Sequence, residues 1–212
     1  MKHVTLIPEK FKPIRHLLER ADYLLSDSVD LLVVVGLYRE FAQNVQSGSN
    51  TILEPVMPNI DEIFSTINMF KRKWIKMYPR LTVVFTIPQV LDFLHYNSLA
   101  NPSISQSMDF IRDMNAFSHK YSMNIMTFFK DMRPRLTMDT RRIWLYHVTN
   151  ALFDQHKGFL QILGNMGTEP KFPPKSTFDG FKPTGPTSER LRNDLMTYIT
   201  KIFAKNPVDQ YQ

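Results

Sequence analysis

Cations are the chemistry-bearing side chains that this sequence gathers. Lys71, Arg72, Lys73, Lys76 and Arg80 follow one another with no acid between them. Arg133, Arg135, Arg141 and Arg142 form a second group, and Lys10, Lys12, Arg15 and Arg20 a third. The 212 residues carry a formal net charge of +6. A clustered positive field attracts polyanions such as nucleic acid or an acidic membrane. Arginine forks match phosphate geometry and stack on bases. The competing reading is a solvated basic face, with Lys71, Arg72, Lys73 and Lys76 complementing the dipole at the end of a helix.

Groups for proton transfer or covalent catalysis do not fall into a working pattern. The chain has no cysteine, which excludes disulfides, thiol nucleophiles and the usual structural zinc sites and fits a reducing compartment. His3, His16, His95, His119, His147 and His156 show no metal-ligand spacing beyond the weak pair Asp154-x-His156. Gly36 and Gly48 are isolated, and Gly164-x-x-Gly167 follows a predicted helix, so no phosphate-cradling loop is expected. Neither a metal nor a small-molecule cofactor is expected.

The elements that must position these groups alternate between strand and helix. His3 to Ile7 reads as a short strand and Phe11 to Leu25 as a helix, with Phe11, Ile14, Leu17, Leu18, Ala21, Leu24 and Leu25 at helical spacing. Pro13 suits its first turn. Leu31 to Val35 (LLVVV) and Leu81 to Ile87 (LTVVFTI) are apolar without alternation, as in parallel strands covered on both faces. Ile60 to Met77 reads as a helix with Ile63, Ile67, Phe70, Trp74 and Met77 on one stripe, so Trp74 is expected in the core. Gln46 to Asn59 and Pro88 to Pro102 read as loops. Ser105 to Tyr121 reads as a helix with Met108, Ile111, Met114 and Phe117 inward, and Met123 to Phe129 as a short strand. Arg133 to Arg135 and Arg141–Arg142 are placed in loop. Phe159 to Met166 reads as a helix, residues 168–187 as a surface loop, 188–204 as a C-terminal helix capped by Thr187 or Ser188, and 205–212 as a tail.

This order predicts one domain over 1–212: a three-layer α/β/α fold around a mainly parallel sheet. No stretch is apolar enough to span a membrane; the longest apolar run is Leu31 to Val35. In such folds ligands bind beyond the carboxyl ends of the strands, which puts Gly36 to Phe41 and Pro88 to His95 on the functional edge. Arg39 on that edge is placed to contact a ligand or to pair with Glu40 or a nearby Asp.

Two stretches carry a family resemblance. DLLVVVGLYREF, from Asp30, resembles the strand and Gly-x-Asn-Asp block of SGNH hydrolases, and IFSTINMFKRKWIKMYPRLTVVFTIP, from Ile63, resembles the helix, Pro-Arg turn and strand that follow it. NALFDQHKGFLQIL, from Asn150, aligns more weakly with the Asp-x-x-His block. The resemblance covers roughly residues 1 to 165. It implies a hydrolase-like fold, but the positions that do chemistry in that family are substituted. The turn after the first strand, Pro8 to Lys12, has no serine, unless the serine block of that pattern lies upstream of this chain. Tyr38 stands at the oxyanion asparagine, Arg39 at the aspartate, Asn150 at the triad aspartate and Phe153 at the triad histidine. A phenyl ring moves no proton, and the nucleophile and oxyanion donors are missing. Asp154 and His156 could replace them only with a one-residue shift.

An SGNH-like domain without hydrolase residues and with a basic surface is similar to the C-terminal domain of the Oskar family of insect germ-plasm organisers. That resemblance implies a pseudoenzyme that binds RNA, with cytoplasmic ribonucleoprotein granules as its location and germ-granule proteins as partners. The expected RNA contacts are Arg133, Arg135, Arg141, Arg142, Lys71, Arg72, Lys73, Lys76 and Arg39. An active esterase or lipase of the same fold, and a protein-interaction module with a basic docking surface, are the alternatives.

Overall fold

The structure is a computed structural model that describes residues 12–35, 37–87, 91–137, 142–147 and 185–205. The predicted strand at His3 to Ile7 and the segment from Asn150 through Met166 lie outside the described residues, as do Arg141, most of the 168–187 loop and the 206–212 tail.

Three parallel strands form the centre. β1 (Leu31–Val35) pairs with β4 (Thr82–Ile87), and β4 with β5 (Ile143–His147). The register sets Val33 opposite Val84 and Val83 opposite Ile143. Side chains alternate across the pleat, which sorts them between two layers. Leu32, Val34, Val83, Phe85 and Ile143 join the larger core with helices α1 (Ile14–Leu24), α3 (Ile60–Met77) and α5 (Met108–Thr137). Leu31, Val33, Val84 and Trp144 instead meet Ile199 and Ile202 of the last helix, α6 (Gly185–Lys205). The sheet is therefore covered by helices on both faces, as its unbroken apolar strands require. Among the described residues, no helix is long and apolar enough to cross a membrane.

Several expectations need correction. The stretch Gln46 to Asn59 is not a loop. A short helix, α2 (Tyr38–Phe41), leads into an antiparallel hairpin of β2 (Ala42–Ser47) and β3 (Asn50–Pro55). Its two-residue turn puts Gly48 at φ 60 while Ser49 keeps a negative φ, the arrangement in which only the first turn residue must be glycine. Pro88 to Pro102 contains helix α4 (Phe93–Ala100), started by Asp92, whose carboxylate accepts the His95 N–H at 2.9 Å.

Met123 to Phe129 is not a strand: α5 runs unbroken through it and takes in Arg133, Pro134 and Arg135. These two arginines are thus helical; Pro134 between them, in the last turn, has no N–H to give the Lys130 carbonyl. Pro13 is the residue before α1 rather than within its first turn, and α6 begins at Gly185, three residues before Ser188. Met108, Met77 and Leu24 were expected on inward stripes, yet they are exposed because each sits in the first or last turn of its helix, beyond the reach of the core. Trp74 is in the core, as its stripe predicts.

Candidate nucleic-acid interface

The basic residues of α3 separate into roles that their sequence neighbourhood conceals. Lys71 is 3 % exposed and its ammonium donates to the Leu136 carbonyl at 3.3 Å, tying α3 to the last turn of α5. Lys73 pairs with Asp22 of α1 at 2.6 Å, with about half of its side chain open to solvent. Asp22 also accepts the Trp74 indole N–H at 2.7 Å. Burial pushes the Asp22 carboxyl up, but the hydrogen bonds from Lys73 and Trp74 and the Lys73 charge outweigh it and hold it below its ordinary value. Arg72 and Lys76 are exposed and make no ion pair among the described residues. Arg80, just beyond the helix, meets Asp30 at 2.9 Å while staying mostly exposed.

The second group is similarly divided. Arg135 pairs with Asp61 at 2.8 Å, and its guanidinium carbon lies 4.2 Å from the Phe64 ring centroid, so it clamps α5 to α3. Arg142 caps the end of α3: it donates to the carbonyls of Ile75 at 2.9 Å and Tyr78 at 3.0 Å, and to that of Pro79. Cationic donors at a helix C-terminus satisfy its orphan carbonyls and oppose its dipole. Arg133 is exposed, with its guanidinium 5.7 Å from the Phe129 ring. It also faces Tyr198 of α6, whose hydroxyl is raised by burial against the opposing pull of Arg133.

Leu37 and α2 follow the carboxyl end of β1. Leu37 adopts φ 74, a left-handed conformation that costs an ordinary residue about 1–2 kcal/mol, and its side chain is 1 % exposed, so burial offsets the strain. Arg39 follows on α2 and is exposed. Glu40 turns inward, and its Oε1 accepts the Ile14 N–H at 2.6 Å, supplying the cap that Pro13 cannot. Among the described residues the other oxygen, Oε2, is buried without a partner. Burial raises the Glu40 carboxyl above its ordinary value, against the Ile14 and Glu40 amide hydrogen bonds and the Arg39 charge. Asp92 at the neighbouring strand end is also raised by burial, opposed by its bond from His95 N–H and the His95 charge. The two perturbed carboxyls on this edge thus both serve as helix caps. Asn150, Phe153, Asp154 and His156 lie outside the described residues.

One surface residue escaped the sequence reading. Tyr23 of α1 is 80 % exposed, with the Arg20 guanidinium 5.8 Å from its ring centroid. It follows Asp22, the partner of Lys73, and so stands where α1 meets the basic end of α3. The signal was present in the spacing: Tyr23 falls off the stripe of Ile14, Leu17, Leu18, Ala21 and Leu25. Cations around an open aromatic face suit phosphate contact combined with base stacking.

When the chain is compared with protein-family models, with curated proteins and with solved structures, none of the three matches it.

Proposed function

We propose that this chain is an SGNH-like α/β domain that has lost hydrolase chemistry and binds RNA, as part of a cytoplasmic ribonucleoprotein. The observation that carries the reading is the exposed Arg72, Lys73 and Lys76 at the end of α3, where Lys73 pairs with Asp22, the chain neighbour of the open Tyr23 ring that has Arg20 over it. Cations of this kind bind phosphate without reading sequence, and an open ring stacks with any base. Binding of single-stranded RNA with limited base preference follows. The pseudoenzyme part rests on Tyr38, Arg39, Asn150 and Phe153 standing where the family resemblance implies catalytic groups. Germ-granule proteins are the partners that the same resemblance suggests.

Lys71 and Arg142 contribute less to this surface than Arg72 and Lys76, because their charged groups hold backbone carbonyls. Ultraviolet crosslinking of the chain to single-stranded RNA, followed by peptide mapping, tests the proposal. The expected crosslinks fall on peptides containing Tyr23 and residues 71–80. A protein that crosslinks to no RNA, or only through segments remote from both, contradicts it.

A further inference from the structure

Among the described residues, the hairpin has one closed edge and one open edge. Along β3, the Leu53 N–H donates to Asn97 Oδ1 at 2.7 Å, the Leu53 carbonyl accepts from Asn97 Nδ2 at 3.0 Å, and the Thr51 carbonyl accepts from Asn101 Nδ2 at 3.0 Å. Helix α4 therefore stands in for a neighbouring strand. In an antiparallel ladder, residues alternate between those that bond to the paired strand and those whose N–H and C=O point away. Leu53 and Thr51 point away from β2, so Asn44 and Gln46, which lie opposite them, point away from β3. Among the described residues no group meets the outward backbone of Asn44 or Gln46. Gln43, Asn44, Gln46 and Ser47 are all exposed.

Natural edge strands are blunted by charge, proline or a bulge. Strand β2 (AQNVQS) has no charged residue and no proline, and its register with β3 is continuous. We propose that β2 is a self-association edge: two copies of this chain pair antiparallel through β2 about a twofold axis at Val45, joining their hairpins into one sheet. Asn44 of each copy then lies opposite Gln46 of the other, and each such pair exchanges both N–H···O bonds. The Val45 side chains meet across the axis as a β-branched pair.

Two features favour a second copy over a foreign peptide. An antiparallel strand pair is self-complementary, as a twofold interface must be. The chain carries +6, but from Ala42 to Pro55 its sole charged residue is Glu54, so two copies meeting through the hairpin bring little like charge together. Neither feature depends on RNA binding.

Sedimentation equilibrium of the full chain over a concentration series tests this, with two variants. Asn44→Pro deletes an N–H that the hairpin does not use, so the variant is expected to stay monomeric with an unchanged circular-dichroism spectrum. Because the chain has no cysteine, Val45→Cys provides a single thiol, which is expected to form a covalent dimer under mild oxidation faster than Gln43→Cys. A wild-type chain that remains monomeric at every concentration overturns the proposal. So does dimerisation undiminished in a folded Asn44→Pro variant, or equal crosslinking at the two cysteine positions. A monomer that captures an unrelated extended peptide at β2 overturns the choice of occupant. Should Asn44→Pro misfold, the cysteine pair still decides.

Discussion

The Asn97 carboxamide makes with Leu53 both hydrogen bonds that a paired strand residue would make, one to its N–H and one from its carbonyl. Asn97 is fully buried, so neither Leu53 group has access to water once that side chain is gone. A buried backbone group left unsatisfied costs about 1–3 kcal/mol. Asn97→Ala is therefore expected to lower the unfolding free energy by roughly 2–5 kcal/mol, read from urea denaturation. Asn97→Asp keeps the acceptor but loses the donor and sets a carboxylate against the Leu53 carbonyl. It should be no better tolerated than alanine.

Arg142 and the end of α3 give a second prediction. Its guanidinium reaches three carbonyls at once, a fork that an ammonium cannot reproduce. Arg142→Lys is expected to destabilise the fold by about 1–3 kcal/mol, the range for hydrogen bonds from charged groups. Lys76→Ala, at an exposed position on the same helix, should stay within about 0.5 kcal/mol of wild type. Thermal melts of the two variants side by side check the contrast.

The parts of the fold that were legible in the sequence are those whose pattern is local. The apolar runs at Leu31 and Leu81 and the stripe through Ile63, Ile67, Phe70 and Trp74 identify β1, β4 and α3, because burial on both faces or on one stripe is written in adjacent residues. The hairpin was missed because β2 is polar and three of β3's hydrogen bonds go to Asn97 and Asn101, more than forty positions away. The course of α5 was misread at Met123 to Phe129, where a run rich in large apolar residues is equally compatible with a short strand. The basic groups were legible as charge but not as role. Whether a cation faces solvent or closes a helix end depends on partners such as Leu136, Asp61 and Tyr78, which only tertiary packing brings within reach.

Glu40 makes stability depend on pH. A carboxyl raised above its ordinary value of 4.5 binds its proton more tightly in the folded chain than in the unfolded one. Folding is then favoured at low pH and loses stability as pH rises from that value through the folded one. Glu40→Gln keeps an oxygen acceptor for the Ile14 N–H and carries no charge to bury. Its unfolding free energy is expected to lack this component of decline over the mildly acidic range, which denaturant titrations at stepped pH measure by difference from wild type.

The account turns on phosphate contacts made by exposed cations, and the salt dependence of RNA affinity measures these most directly. For single strands, each phosphate neutralised contributes about −0.7 to the slope of log K against log salt concentration. Fluorescence anisotropy with a single-stranded RNA is expected to show steep weakening as salt rises. The double variant Arg72→Ala/Lys76→Ala should bind more weakly, with a slope shallower by roughly 1.4. Affinity that does not change with salt, or a variant whose slope equals that of wild type, contradicts the account.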